Sequence, residues 1–151
     1  GKNMTIYRGE ISDSKDRQKE FLKTAKIIKT DNAITSVTMD NAGRFIVAQS
    51  GATLQTYDLE RKELSSAFNI GMAQEVKWLD NFYIRSVSAS GKMEIREFDG
   101  TNAHTLISVK PGLDSVLSSN QRYVYGLTTN ASGKIVLSKM NMDNGSIGLF
   151  N

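Results

Sequence analysis

The 151-residue chain has no cysteine, one proline and one histidine. Without cysteine it holds no disulfide, no thiol nucleophile and no cysteine-based zinc site. Because His104 is the only histidine, histidine-rich metal sites are excluded, and any histidine-dependent catalysis would rest on this one position. The composition therefore removes several enzyme and metal-binding classes before any motif is considered.

The sequence also lacks long apolar runs and a strong charge imbalance. No apolar stretch approaches the roughly 18 to 20 residues of a membrane-spanning helix, so we expect no membrane insertion by this segment. The 19 Lys and Arg residues are offset by 16 Asp and Glu residues and are interspersed with them. A net charge of +3 does not indicate a nucleic-acid-binding surface, and we expect no nucleic-acid partner.

A repeat of about 40 residues, a period typical of propeller blades, organises most of the chain. We predict a single domain with successive units at residues 33–71, 73–110 and 112–151, preceded by the end of an incomplete unit at residues 1–32. Equivalent positions recur in the three units: Val37, Val76 and Val116 in the first strand; Phe45, Phe82 and Tyr123 leading the second; Gly51, Gly91 and Gly133 at the next turn; and Asp58, Asp99 and Asn141 after the third strand.

Within each unit the local pattern is that of β-strands. Residues 44–48 and 134–137 are short runs rich in β-branched residues and bounded by Gly, Asn, Asp or Ser. Residues 93–98 alternate apolar and charged side chains until Glu97, and Asp99-Gly100 is a hairpin-turn dipeptide. Four strands per unit and stacking of consecutive units predict an all-β, propeller-like array of four-stranded antiparallel blades.

Two interpretations of the first 32 residues remain. In one, Met4 to Ile11 and Phe21 to Ile28 are the last two strands of a blade, joined by a polar loop at 12–20. Because that start lies within a strand, this interpretation also predicts that the chain begins inside a longer protein. The alternative is a helix at residues 16–29, since Phe21, Leu22, Ala25 and Ile28 share one helical face.

The second unit carries the most specific motifs. They are Trp78-Leu79-Asp80, Ser90-Gly91-Lys92, and Phe98-Asp99-Gly100-Thr101-Asn102 followed by Leu106. This unit resembles the WD40-like repeats of TolB-type propellers and, more closely, the propeller-like C-terminal region of bacterial PEGA-domain surface proteins. The resemblance covers residues 33–142, although the first unit has Tyr57-Asp58-Leu59 in place of the full motif. It implies an extracytoplasmic, cell-surface or secreted protein whose propeller binds and does not catalyse.

The acidic residues that recur between units favour a structural role. Asp40 and Asp80 end the first strands of their units, and Asp58 and Asp99 follow the third strands. Rings of carboxylates could hold a cation or polarise water. A residue repeated in every blade usually serves the fold, however, whereas an active site is built once, so we expect these side chains to cap turns. For residues 141–145, which resemble a calcium loop with its glycine one place early, we likewise expect a turn.

Other polar and aromatic residues also fit a structural role better than a catalytic or ligand-binding one. His104 has no second ligand or nucleophile near it in sequence, which indicates a surface or half-buried hydrogen-bonding histidine. Trp78, Tyr83 and Arg85 could form an aromatic and cationic lip for a sugar or peptide, although core packing is the stronger expectation for Trp78. No phosphate-binding loop, dinucleotide fingerprint or nucleophile elbow is present. We predict no catalytic, metal-binding or cofactor-binding residue and no cofactor.

Three functions are compatible with this architecture. The first is a noncatalytic module that binds a protein, peptide or glycan through the blade loops. The second is a hydrolase or lyase at a propeller funnel, for which nonrepeating acids such as Glu75 and Asp114 are available. The third is a structural spacer. Converging nonrepeating Asp, Glu, His or Arg would indicate the enzyme, and exposed aromatic side chains would indicate the binding module.

The strand count also predicts open surfaces. About 3.5 blades are fewer than the four to eight that close a propeller ring. We expect apolar strands near Ile6 and Tyr7 at one end, and near Val136 and Leu149 at the other, to need covering. Earlier blades of a larger propeller or a second copy of the chain could cover them, the latter completing about seven blades.

Overall fold

A computed structural model describes residues 1–7, 26–71, 73–113, 115–143, 145 and 147–150, with the backbone alone described for residues 73–75. These residues form fifteen strands and no helix. The strands are β1 (Asn3–Ile6), β2 (Lys26–Lys29), β3 (Ser36–Met39), β4 (Phe45–Ser50), β5 (Thr53–Asp58), β6 (Glu63–Leu64), β7 (Phe68–Asn69), β8 (Ala73–Trp78), β9 (Tyr83–Ser88), β10 (Lys92–Glu97), β11 (His104–Ser108), β12 (Ser115–Leu117), β13 (Tyr123–Thr129), β14 (Ile135–Asn141) and β15 (Ile147–Phe150).

The strands pair into four antiparallel sheets in chain order. We call β3–β7 the first blade, β8–β11 the second blade and β12–β15 the third blade. In the first blade, β6 and β7 both pair with β5, so they are two parts of one interrupted outer strand. At the interruption, the hydroxyl of Ser65 accepts a hydrogen bond from the Thr56 amide. The predicted all-β, propeller-like array of four-stranded antiparallel blades is therefore correct.

The remaining sheet, which we call the half-blade, consists of β1 and β2 in antiparallel register. Met4 lies opposite Ile28, and Ile6 lies opposite Lys26. The helix alternative for residues 16–29 is wrong for residues 26–29, because these residues pair with β1 instead of turning helically. The rest of that helix, the predicted loop at 12–20 and the start of the predicted strand at Phe21 lie outside the described residues.

Apolar side chains fill the space between each sheet and the next. Ile6 and Ile28 of the half-blade pack with Ile46 and Tyr57 of the first blade. A second cluster joins Val47, Leu54 and Ile70 to Val76 and Ile84, and a third joins Val87, Met93, Ile107 and Val109 to Val124. A single four-stranded sheet cannot bury its own faces, so the stacking of each sheet on the next supplies the core of this chain.

Turn geometry and burial agree with the pattern predicted for residues 93–100. Gly100 adopts φ +87°, which only glycine occupies without strain, and its amide donates to the Glu97 carbonyl. The predicted Asp-Gly turn between β10 and β11 is thus present. Alternation in β10 is also present, because Met93 and Ile95 are buried while Lys92 is exposed.

Strand register corrects two of the predicted equivalences. The second strands begin at Phe45, Tyr83 and Tyr123, so Tyr83 holds the position assigned to Phe82. The fourth residue of each second strand pairs with a residue of the first strand, which is Val37, Val76 or Ser115. In the third blade Ser115, and not Val116, is therefore equivalent to Val37 and Val76. A shift of one residue turns a side chain to the opposite face of a strand, and Val116 indeed faces away from the second blade's core cluster.

Candidate ligand-binding groove

The repeated aspartates are engaged with the backbone of their own turns. Asp40 Oδ1 accepts hydrogen bonds from the amides of Arg44 and Phe45, both at 2.7 Å. Asp80 Oδ1 accepts from the amides of Phe82 at 2.7 Å and Tyr83 at 2.6 Å. These bonds close the turn between the first two strands of the first and second blades, so both carboxylates serve turn formation as the repeat predicts.

The aspartates after the third strands also stabilise turns. Asp58 Oδ1 accepts from the amides of Glu60 and Arg61, and its Oδ2 lies 2.9 Å from Arg44 Nη2. Burial raises the pKa of Asp58, but the hydrogen bonds from Arg44 and from the two amides outweigh it and hold the pKa below its ordinary value. Asp99 Oδ1 accepts from both the amide and the hydroxyl of Thr101.

The run at residues 141–145 forms a turn in its described part. Asn141 Oδ1 accepts from the Asp143 amide at 2.8 Å, and the Gly145 amide donates to the Asn141 carbonyl. Within the described ranges no group of three or more His, Asp or Glu residues is placed to hold a metal ion. Asp114 and the side chain of Glu75, the acids available to a funnel enzyme, lie outside the described residues.

The three residues of the predicted lip do not come together. Trp78 is half-buried, stacks on Phe45 at 5.9 Å, and donates from Nε1 to the Thr38 carbonyl at 3.4 Å. Arg85 is buried between blades, where its Nη1 donates to Ser115 Oγ at 2.6 Å. Only Tyr83 of the predicted set lines an open surface. Arg85 points inward because its position in the register faces the third blade.

A groove of about 250 Å³ opens between the second and third blades. Its lining combines apolar and polar side chains: Leu79, Asp80, Tyr83, Ile95, Glu97, Asn102, His104, Leu117, Gln121 and Met142. They come from the turns that follow the first and third strands of the two blades and from the strand residues next to those turns. Because successive blades place these turns at the same end, residues more than 60 positions apart share one surface.

Aromatic rings form one edge of this surface. Phe82 is 38% exposed. Its ring makes T-shaped contacts with the rings of Tyr83 and Phe98, each at a centroid distance of 5.3 Å. Phe98 in turn stacks on Phe45 at 4.4 Å. A wider hollow beside Phe82 shares Leu79, Asp80, Tyr83, Leu117 and Gln121 with the groove. The partly buried stack therefore holds an exposed aromatic ring in the hollow beside the groove.

The described lining of the groove carries two acidic groups and one histidine. Among the described residues, neither its lining nor that of the adjoining hollow includes Lys or Arg, although the whole chain has a net charge of +3. Asp80 and Glu97 supply the carboxylates, and Asn102 Nδ2 donates to Glu97 Oε1. His104 lies exposed at the start of β11 and also lines the groove. Sequence reasoning missed Glu97 and Gln121, because no local motif links them.

Comparison with known proteins finds no matching family model and no matching curated protein. Among solved structures, the chain superposes on the tricorn protease with a TM-score of 0.60 and 11% identity, over 82% of this chain and 14% of that one. The β-propeller domain of Cps50 (Swd1) from Myceliophteria thermophila gives a TM-score of 0.52 and 12% identity, over 95% and 47% of the two chains. The fold is that of a β-propeller.

A putative TolB from Agrobacterium tumefaciens also matches, with a TM-score of 0.49 and 11% identity over 86% of this chain and 50% of that one. The described array spans at most half the length of these three structures. At such identities the similarity to the first two structures establishes the fold alone. The described array thus corresponds to an arc of propeller blades. In the described part of the chain no helix is long and apolar enough to cross a membrane.

Proposed function

We propose that this propeller array is a noncatalytic binding module that recognises a protein, peptide or glycan in the groove between the second and third blades. The exposed ring of Phe82 beside a partly apolar groove carries the proposal, because aromatic rings at groove edges supply large contact areas to ligands. Both groove carboxylates already accept hydrogen bonds within the chain: Asp80 Oδ1 from the amides of Phe82 and Tyr83, and Glu97 Oε1 from Asn102 Nδ2.

The groove's chemistry favours ligands with a cationic group. In the described part of the chain, Asp80 and Glu97 are the acidic residues of the lining, and no Lys or Arg side chain lies there to neutralise them. Leu79, Leu117 and Met142 offer an apolar surface for the aliphatic stem of a lysine or arginine side chain, or for the face of a sugar. An amino sugar or a basic peptide therefore matches the lining better than an acidic ligand.

The proposal includes a location outside the cytoplasm, in a bacterial cell-surface or secreted protein of the PEGA-domain type. Its support is the resemblance of the second unit, from Trp78-Leu79-Asp80 to Leu106, to the repeats of those proteins. Fractionation of cells that produce the native protein, followed by protease treatment of intact cells, tests this location. Protection from added protease in intact cells would contradict surface exposure.

Binding is tested with glycan and peptide arrays, comparing the parent protein with Phe82→Ala. We expect binding of cationic peptides or amino sugars, and at least a tenfold loss in Phe82→Ala. Phe150→Ala is the matched control, because Phe150 is similarly exposed but lies on the outermost strand of the third blade. A parent protein that binds nothing on either array would instead support a structural spacer. Equal loss in both variants would contradict a site in the groove.

A further inference from the structure

The face of the third blade that turns away from the second blade is apolar and uncovered within the described structure. Leu127, Leu137 and Phe150 lie in one row across β13, β14 and β15. Val116 and Tyr125 form the next row toward β12, and Lys139 Nζ lies 3.7 Å from the ring centroid of Tyr123. We call Val116, Tyr125, Leu127, Leu137 and Phe150 the open face. Their side chains alternate with those that face the second blade.

The internal repeat shows what this face is built to do. In every blade, the fifth residue of the second strand pairs with one residue of the third strand: Leu54, Met93 and Leu137 in turn. Leu54 and Met93 are 0% exposed, because the next blade covers each of them. Leu137 is 40% exposed. These three residues occupy equivalent positions in their blades, and what distinguishes Leu137 is that no described blade covers it.

The two interfaces between complete blades define the chemistry of the covering blade. Its second strand places a β-branched residue at the second position, Ile84 over the first blade and Val124 over the second. Two places later it has a small residue, Ser86 or Gly126. At Gly126 an added Cβ would lie 2.6 Å from Val109 Cγ1, so a small residue is needed for the blades to approach.

We propose that the open face docks a further four-stranded propeller blade, whose second strand carries a β-branched residue followed two places later by a small residue. A second copy of this chain offers a poorer match. Its uncovered first sheet is the half-blade, which has two strands and turns Thr5 and Ile27 outward. Two strands would cover β14 and β15 and leave Val116 and Tyr125 on the inner strands exposed.

The absence of cysteine makes the proposal measurable with a single introduced thiol. In Leu137→Cys, reaction with a chromogenic disulfide reagent should be fast, whereas in Leu54→Cys it should proceed only on unfolding. The Leu137→Cys chain is then extended after residue 151 with a copy of residues 73–110, or in a second version with a copy of residues 33–71. We expect either extension to slow labelling at least tenfold.

A matched extension checks that docking follows the stated chemistry. Ser86→Trp in the appended copy of residues 73–110 places a large side chain where the blades must approach, so we expect fast labelling to return. Unchanged labelling with both unmodified extensions would overturn the proposal. So would light scattering that shows a two-copy particle of the unextended chain with concentration-dependent protection of the thiol, because a second copy would then be the occupant.

Discussion

The stacking of blades predicts that one substitution has very different costs at equivalent positions. Leu54 and Leu137 occupy the same place in the first and third blades, but Leu54 is fully buried and Leu137 is 40% exposed. Leu54→Ala removes side-chain atoms from a cluster shared with Val76 and Ile84 and leaves a cavity. Leu137→Ala removes atoms from a surface that solvent already reaches.

The expected magnitudes differ by about threefold. Fully buried Leu→Ala substitutions cost about 2–5 kcal/mol, because a cavity term adds to the lost transfer free energy. Leu137→Ala should cost about 1 kcal/mol, since part of the side chain is exposed and no closed cavity forms. For a domain of this size each kcal/mol lowers Tm by about 2–4 °C. Taking about 3 kcal/mol for Leu54→Ala, in the middle of that range, we expect Tm to fall by about 6–12 °C, against about 2–4 °C for Leu137→Ala.

Urea unfolding followed by tryptophan fluorescence measures both costs, because Trp78 is the single tryptophan and packs against the cluster that contains Leu54. Met93→Ala is the companion variant at the second interface and should resemble Leu54→Ala. An equal loss of stability in Leu54→Ala and Leu137→Ala, measured on a monomer, would refute the inference that blade stacking distinguishes these positions.

Two further predictions concern the interface glycine and the Asp58 turn. Gly126→Ala should destabilise the protein by about 1–3 kcal/mol, because the new methyl group overlaps Val109. Gly148→Ala should change stability little, because no described atom lies within 4 Å of the added Cβ. Thermal unfolding of the two variants compares these costs. Because the pKa of Asp58 is lowered on folding, its contribution to stability is present above the ordinary value of 3.8 and is lost as pH falls below it. Asp58→Asn should therefore flatten the acid limb of stability against pH, and an unchanged acid limb would show that this carboxylate is not the group responsible.

Strands, turns and the number of complete sheets were predictable from sequence, because they depend on local signals. β-branched runs, Asp-Gly at residues 99–100 and the recurring aspartates each act within a few residues. Register was less predictable. The turn from the first to the second strand takes five steps from Asp40 to Phe45 and from Ser118 to Tyr123 but only four from Leu79 to Tyr83, so equivalent positions are not equally spaced in the three blades.

The groove could not be predicted, because it depends on how two blades stack. Glu97 belongs to the second blade and Gln121 to a turn of the third blade. Their proximity follows from the packing of the two blades and not from sequence spacing. Arg85 was misjudged for the same reason, since only the third blade supplies Ser115 as its buried partner. Sequence periodicity identifies which strands exist, whereas the direction in which a polar side chain points depends on register and on the neighbouring sheet.

The central claim is that ligands bind in the groove between the second and third blades. An NMR titration of the isotope-labelled protein with the strongest array ligand tests it most directly, by following backbone amide shifts. We expect the largest shifts at Asp80, Glu97, His104 and Gln121, and small shifts on the open face of the third blade. Shifts concentrated on the half-blade or the open face, with those four amides unmoved, would contradict the claim.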